Sequence, residues 1–480
     1  MGKITGFMEF SQKFPAILPA AERVSNSKEF ISLYTTEELT EQSARCMDCG
    51  VPFCQSNCPL GNIIPEFNDA IYNKNYKRAY DILSRTNPFP EFTGRACPAP
   101  CESGCVLGIN DNPVTIEMIE KQIIEYAFAY DLVKPNIPIK RTGKNVAVIG
   151  SGPAGLAVAT QLNQYGHNVT VYEKNDKPGG LLRYGIPDFK LEKIIIDRRI
   201  KLLIAEGITF NCGVDVGNGF NSDSLFYDYD AIVLACGCEI SREYNVPGLN
   251  CNGVNLAMPY LIEHSKRVAI GNDVYTPEDA ANPIVAMAKN VVIIGGGDTA
   301  SDCIGTANRQ KATSITQLIR APRPPKERDL EMPWPTVPHL DILSTSQEEG
   351  VTQLFSIGVK EFIQDTNGKL SGVRIVELEK IIHNRKVHYD EVTGSERIIP
   401  CDLALIAIGF SNPTFDGLLE TLDLELTDNG NIKADDVNYK TSMEKVFATG
   451  DVRRGQSLIV WAIKEGRDCA KSVHEFLQIK

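Results

Sequence analysis

Twice in this chain a run of apolar, mostly β-branched residues ends in a tight set of small residues, and a helix-forming stretch follows. The first is Val146-Ala-Val-Ile-Gly150-Ser-Gly152-Pro153-Ala154-Gly155; the second is Val291-Val-Ile-Ile-Gly295-Gly296-Gly297-Asp298-Thr299-Ala300. The glycines permit a sharp turn and close backbone approach to a pyrophosphate. The helix N-terminus that follows is left facing the phosphate charge. Each run therefore opens a doubly wound α/β unit that binds a dinucleotide, and the chain holds two of them.

The two units differ in what closes their second strand. In the first, strand Val146–Gly150, helix Leu156–Tyr165 and strand Asn168–Glu173 are predicted, and Glu173, with Lys174 beside it, ends the second strand. An acid there takes ribose hydroxyls and repels a 2′-phosphate, which suits FAD or NAD. Two more segments favour FAD. Pro178–Pro187 bends at Gly180 and Leu181, where backbone can lie along an extended cofactor, and Gly450-Asp451 offers a carboxylate to a ribityl chain. A helix begun near Ser457 aims its N-terminus at a flavin ring. In the second unit the predicted strand Ile315–Ile319 ends at Arg320, whose guanidinium pairs with a 2′-phosphate, so that loop points to NADP(H). Arg323, Lys326 and Arg328 either add to that charge or belong to a solvated loop.

Of 14 cysteines, seven lie between Cys46 and Cys105. Cys46-x2-Cys49-x4-Cys54-x3-Cys58-Pro59 is close to the bacterial ferredoxin run, with a middle gap of four instead of two, and Cys97-x3-Cys101-x3-Cys105 adds three thiols. In the ferredoxin run the fourth cysteine serves the other cluster. By that rule Cys46, Cys49 and Cys54 share one [4Fe-4S] cube with a member of the second set, Cys105 for preference, and Cys58, Cys97 and Cys101 hold another. Structural zinc is the competing reading, but a zinc site needs only four ligands, and seven soft thiols fit two four-ligand sites less one. A redox disulfide at Cys236-Gly-Cys238 is a further alternative; the spacing is strained for a disulfide, and two packed small hydrophobes suit the end of a buried strand better.

At 480 residues the chain has room for about three domains of ~150 residues. The expected division is a helical iron–sulfur domain at 1–140, then an FAD domain at 141–250 and 411–480 into which a nicotinamide domain at 251–410 is inserted. A net charge of -12 argues against a nucleic-acid partner, and no run approaches 18 uninterrupted apolar residues. The start, Met1-Gly-Lys-Ile-Thr-Gly6, carries no apolar signal core, so a cytoplasmic protein with reduced thiols is expected.

Taken together these residues resemble the small (beta) subunit family of bacterial NADPH-dependent glutamate synthase. The resemblance runs the length of the chain. Its specific marks are Cys46-Met-Asp-Cys49-Gly-Val-Pro-Phe-Cys54, Thr93-Gly-Arg-Ala-Cys97-Pro-Ala-Pro-Cys101, Tyr184-Gly-Ile-Pro187, and Pro333-Trp-Pro335 followed by Glu348-Glu-Gly350. Similar modules occur in dihydropyrimidine dehydrogenase and in ferredoxin-linked NADPH transhydrogenases. The resemblance implies that NADPH reduces FAD and that electrons leave through two [4Fe-4S] clusters. The acceptor would be a large (alpha) subunit that makes L-glutamate from L-glutamine and 2-oxoglutarate. It also implies an oxygen donor as the eighth cluster ligand, at Glu120, with Gln122 as second choice. Met1-Gly2 provides no cysteine nucleophile for glutamine hydrolysis, so this chain is expected to oxidise NADPH without making glutamate itself. The alternatives are the same module serving ferredoxin or another acceptor, and a nucleotide-binding assembly or sensor protein that passes no electrons.

Overall fold

The computed structural model describes residues 2–220, 222–383 and 386–479. The cysteine-bearing region is a set of helices, chiefly Thr36–Ala44, Ile64–Tyr72, Tyr76–Thr86, Pro90–Ala96 and Ile116–Ala129. Thr35 and Glu38 close a reciprocal cap on the first of these: Glu38 N donates to Thr35 Oγ1 (3.2 Å) and Thr35 N to Glu38 Oε2 (3.0 Å). The last buries Ile116, Ile119, Ile123 and Ala127 along one stripe, the periodicity the sequence shows.

Two parallel five-stranded sheets follow. In the first, the strand order is Val446–Ala448, Ala231–Leu234, Asn145–Ile149, Asn168–Glu173, Thr209–Cys212. In the second it is Val254–Leu256, Leu403–Ile406, Asn290–Ile294, Ser314–Ile319, Thr352–Phe355. The chain thus leaves the first sheet after Leu234, builds the second, and returns at Val446. Where it crosses in each direction, Ile240–Ser241 pairs antiparallel with Phe410–Asn412. A four-stranded antiparallel sheet, Ile357–Gln364, Leu370–His383, Lys386–Glu391 and Arg397–Pro400, lies beyond the second sheet and is absent from the sequence expectations.

Backbone crowding explains the glycines of the first loop. Gly150 has φ +101, and a Cβ there would sit 2.4 Å from Ala235 O; at Gly155 it would sit 2.0 Å from Gly150 O. The C-terminal helix, Ile459–Ile479, crosses the loop's own helix, Pro153–Gln164, at Gly466, where a Cβ would meet Ala154 O at 2.4 Å. The last helix of the chain therefore clamps the first dinucleotide loop.

One buried ion pair and one half-buried pair join the helical region to helix Lys193–Ala205 of the first unit. Arg199 donates to both oxygens of Glu91 (2.5 and 3.0 Å), and each side chain is buried. Arg198 holds Glu125 with two bonds (2.8 and 2.6 Å), and Glu125 also takes Arg95. Removing one partner of a buried pair costs about 3–5 kcal/mol because the other charge is left stranded, so these contacts fix how the two regions meet.

Candidate functional site

One cavity of about 970 Å³ runs from the first glycine loop to the cysteine region. Its volume is at the upper end of what an extended cofactor needs. Gly150, Gly152, Pro153, Ala154, Glu173, Lys174, Gly180, Leu181, Asp451 and Ser457 all line it, so most of the residues expected to meet FAD share one wall. Gly155 and Gly450 lie behind that wall: Gly155 packs on Gly150 O, and a Cβ on Gly450 would be 2.7 Å from Ala154 Cβ.

The loop is held by its own side chains. Glu173 accepts from Ser151 N (3.2 Å), from the Ser151 hydroxyl, and from Asn175 N (2.9 Å) and Nδ2 (2.7 Å). Ser151 Oγ in turn accepts from Gly179 N (2.8 Å), and a Cβ on Gly180 would be 2.9 Å from Gly152 Cα. The bend at Gly179–Gly180 is therefore pressed onto the loop. Among the described residues, none beyond Gly152's chain neighbours comes within 4 Å of its Cβ position, which leaves that stretch of backbone open to a ligand. Asp451 accepts from the Ser457 hydroxyl (2.6 Å); burial pushes its pKa up to about 6, against the effect of that bond. The helix beginning at Ile459 points its N-terminus into the cavity, which Ile459 and Ala462 also line.

The second loop repeats the first. Gly295 has φ +137, and a Cβ there would be 2.1 Å from Ala407 O; Ala300 is fully buried at the third position. Asp298 and Thr299 line the same cavity as the first loop, so both loops face one space. Across it Lys190 pairs with Asp302 at 2.5 Å, tying the first unit to the helix of the second. Gly296 lies against Ile319, and the next residue, Arg320, stacks on Tyr389 at 4.6 Å from the antiparallel sheet. Arg323 and Arg328 are otherwise engaged. Arg323 pairs with Asp341 (2.9 Å), and Arg328 donates to the carbonyls of Met332 (3.2 Å), Thr336 (2.8 Å) and Ser103 (3.3 Å). Arg328 is thus tied to the backbone of its own segment and of the helical region.

The seven clustered cysteines fall into two groups. Cys46, Cys49, Cys54 and Cys105 line one small cavity of about 20 Å³, walled by Pro52, Phe53, Ile64 and Leu107. Burial pushes the thiols of Cys46 and Cys54 up to about 12, and the neighbouring thiols add to the effect. Cys58, Cys97 and Cys101 form the other group with Glu120. Burial raises all three thiols, Cys58 to about 11, and in each case the charge of Glu120 adds to the rise. Glu120 is buried, accepts from Asn62 Nδ2 (2.8 Å), and has its pKa raised to about 7 by burial. Buried acids and thiols of this kind ionise readily only beside a bound cation, so the donor sets fit a metal group. Among the described residues no three His, Cys, Asp or Glu side chains converge on a point that one metal ion could occupy. A four-iron cube asks for a wider spacing, one ligand at each corner.

Cys97 also lines the large cavity, with Gly94, Glu117 and Lys121 near it. The second cysteine group therefore borders the space that the two glycine loops share.

Residues 144–466 match the family described as pyridine nucleotide-disulphide oxidoreductase, and residues 23–132 match dihydropyrimidine dehydrogenase domain II, 4Fe-4S cluster. The chain is 46% identical over 473 residues to the glutamate synthase [NADPH] small chain of Mycobacterium tuberculosis, covering 98% of this chain and 95% of that one. It is 44% identical over 493 residues to the Bacillus subtilis protein of the same name, covering 99% of each. The chain belongs to the glutamate synthase small-chain family. In fold it also resembles Mycobacterium tuberculosis FprA solved in complex with NADPH, with a TM-score of 0.55 at 16% identity over 70% of this chain and 85% of that one. No described helix is long and apolar enough to cross a membrane.

Several residues that this small-chain fold brings to the cavity carry no signal in the sequence. Glu29, Phe30 and Ile31, from the N-terminal region, line it. Cys236 and Cys238, both free, also border it; Cys238 is buried and Cys236 packs against the apolar core of the first sheet, in keeping with two packed small hydrophobes. Tyr389 reaches Arg320 from a strand far along the chain.

Proposed function

We propose that this chain is the electron-input subunit of glutamate synthase. It oxidises NADPH with FAD and passes the electrons through two [4Fe-4S] clusters to a large subunit, which makes L-glutamate from L-glutamine and 2-oxoglutarate. The observation that carries this reading is the single cavity bordered by both glycine loops and by Cys97. The flavin, when bound, supplies the conversion of a two-electron hydride into single electrons, and the iron–sulfur groups supply the carriers for them.

The chain's own residues bind and orient. The loop from Gly150 to Gly155 presents backbone N–H groups and a helix N-terminus to a pyrophosphate, and Glu173 keeps that loop in shape through Ser151 while facing the ribose. Gly180 and Leu181 cover the cofactor, Asp451 and Ser457 take its sugar chain, and the helix from Ile459 lends positive potential to the ring. Gly295, Gly296, Gly297, Asp298, Thr299 and Ala300 cradle the second dinucleotide, with Arg320 at its 2′-phosphate. Cys46, Cys49, Cys54 and Cys105 hold one cluster; Cys58, Cys97, Cys101 and Glu120 hold the other. Hydride transfer needs stacking and approach more than an acid or base, and the domains at 1–140, 141–250 with 411–480, and 251–410 supply it by position.

The test is an anaerobic titration of the purified chain with NADPH and then NADH, followed by flavin absorbance. Fast bleaching by NADPH alone is expected. Arg320→Ala should weaken NADPH by about ten- to a hundred-fold, the worth of a charge-assisted bond of ~1.5–3 kcal/mol, and leave NADH nearly unchanged. Glutamate should form only after the large subunit is added. A chain that holds FAD but is reduced by neither nucleotide would favour the sensor reading instead.

A further inference from the structure

The second sheet sends out a long segment, residues 321–343, between strand Ser314–Ile319 and helix Thr345–Glu348. It carries Pro333-Trp-Pro335, a motif that the nucleotide chemistry leaves unexplained. It crosses to the helical region and lies on the first cysteine group.

Four contacts place it there. Trp334 packs on Phe53, with ring centroids 4.7 Å apart, and Phe53 walls the cavity of Cys46, Cys49, Cys54 and Cys105. Trp334 Nε1 donates to the carbonyl of Cys105 at 3.4 Å. Asn57 Nδ2 donates to Pro335 O at 2.7 Å, from the short helix that bears Cys54. Arg328 folds the segment into a turn through Met332 O and Thr336 O, and spends its other nitrogen on Ser103 O. The chain is anchored beyond the segment as well. Past helix Thr345–Glu348, the buried side chain of Glu349 accepts from Arg23 Nε (2.9 Å) of the N-terminal region and from Arg309 Nη1 (2.7 Å) of the nucleotide-loop helix.

We propose that Trp334 is a positioning residue for the first iron–sulfur group, through which the nucleotide-binding sheet braces that group's wall from outside. This rests on the reading that Cys46, Cys49, Cys54 and Cys105 hold a cluster. The indole fixes the backbone of Cys105, the one ligand contributed by the second cysteine run, and its ring shuts water out at Phe53. Outer partners of this kind set both the retention of a metal group and its potential, because they control ligand orientation and solvent access. The residues lining that cavity all belong to the helical region; the strap lies behind them, against Phe53 and the carbonyl of Cys105.

The experiment uses the full chain, purified anaerobically, with Trp334→Ala, Trp334→Phe and Asn57→Ala. Iron release to a chelator in air is followed by visible absorbance, and the reduced clusters are titrated by electron paramagnetic resonance. Trp334→Ala should release part of its iron about ten-fold faster than the parent, as expected for loss of an outer partner. One cluster signal should change and the other should not, while NADPH bleaches the flavin at the parent rate. Trp334→Phe keeps a ring on Phe53 and should recover most of the chelator resistance, with one signal still titrating at a shifted potential. Asn57→Ala should act in the same direction as Trp334→Ala, more weakly. Parental iron release and parental titrations in Trp334→Ala would overturn the proposal, and so would equal loss of both signals together with the flavin. A Cys49→Ser chain separates the underlying reading. If it keeps the parent's iron and both signals, the first group holds no cluster and Trp334 has nothing to position. If it loses one signal while Trp334→Ala behaves as the parent, only the Trp334 assignment fails.

Discussion

The two cysteine groups grow from one small helical region yet meet different neighbours. The second, Cys58, Cys97 and Cys101 with Glu120, borders the large cavity through Cys97 and includes an oxygen donor. The first, Cys46, Cys49, Cys54 and Cys105, is all thiol, lines a cavity of its own, and is braced at Phe53 by a segment from the nucleotide-binding sheet. On the proposed reading, the second group would receive electrons from the flavin site and the first would hand them on. On that reading the two roles come from what packs beside seven near-identical thiols as well as from the oxygen donor of the second group.

The sharpest way to break this comparison is to remove one ligand from each group. Cys101 is buried at 6% exposure, and Cys101→Ser should abolish the second cluster. NADPH should still bleach the flavin, while reduction of an external one-electron acceptor falls by more than about a hundred-fold, since even an outer partner is worth 10–100-fold. Cys49→Ser should leave both the flavin and the second cluster reducible by NADPH and lower glutamate formation with the large subunit by a similar factor. If Cys49→Ser instead stops reduction of the second cluster, the proposed order of the two groups is reversed.

Glu120 gives a smaller effect. Glu120→Gln keeps an oxygen in place and should retain the second cluster with a changed potential, read by electron paramagnetic resonance titration. Glu120→Ala removes the donor and should lower iron content, measured by colorimetric assay, toward that of Cys101→Ser. Equal iron in all three Glu120 forms would show that another group completes the site.

Much of this arrangement is legible in the residue order, for a physical reason. A glycine loop works through backbone conformation, so the spacing Gly150, Gly152, Gly155 carries the turn, the helix start and the crowding at Ala235 together. The same holds for Gly295, whose crowding is against Ala407. The strand that returns to the first sheet at Val446 is also legible, because an apolar run ending in Gly450-Asp451 has few other places to pair. What stays hidden depends on which side chains meet across distant segments. Arg328 reads as spare positive charge until Ser103 O is seen beside it. Trp334 reads as a motif until Phe53 and Cys105 are found under it. The antiparallel sheet from Ile357 to Pro400 alternates weakly, with its strands half exposed, and the contact of Tyr389 with Arg320 leaves no local pattern.

The smallest expected effect concerns how the oxygen donor is held. Asn62 Nδ2 donates to Glu120 Oε1 at 2.8 Å, and Asn62 Oδ1 accepts from Thr86 Oγ1 at 2.8 Å, so the amide is a link in a short buried chain. The first group has no counterpart to this arrangement, since a thiolate has no second oxygen to orient. Asn62→Ala should therefore act on the second group alone. It removes one bond to a charged acceptor, worth ~1.5–3 kcal/mol at most, and frees Glu120 to rotate without deleting it. The expected outcome is a shifted potential for one cluster signal and near-parental iron content. Chelator release should stay slower than in Glu120→Ala. If Asn62→Ala perturbed the first group's signal as much as the second's, the two groups would share their outer partners. The division of labour would then have to come from distance to the flavin alone.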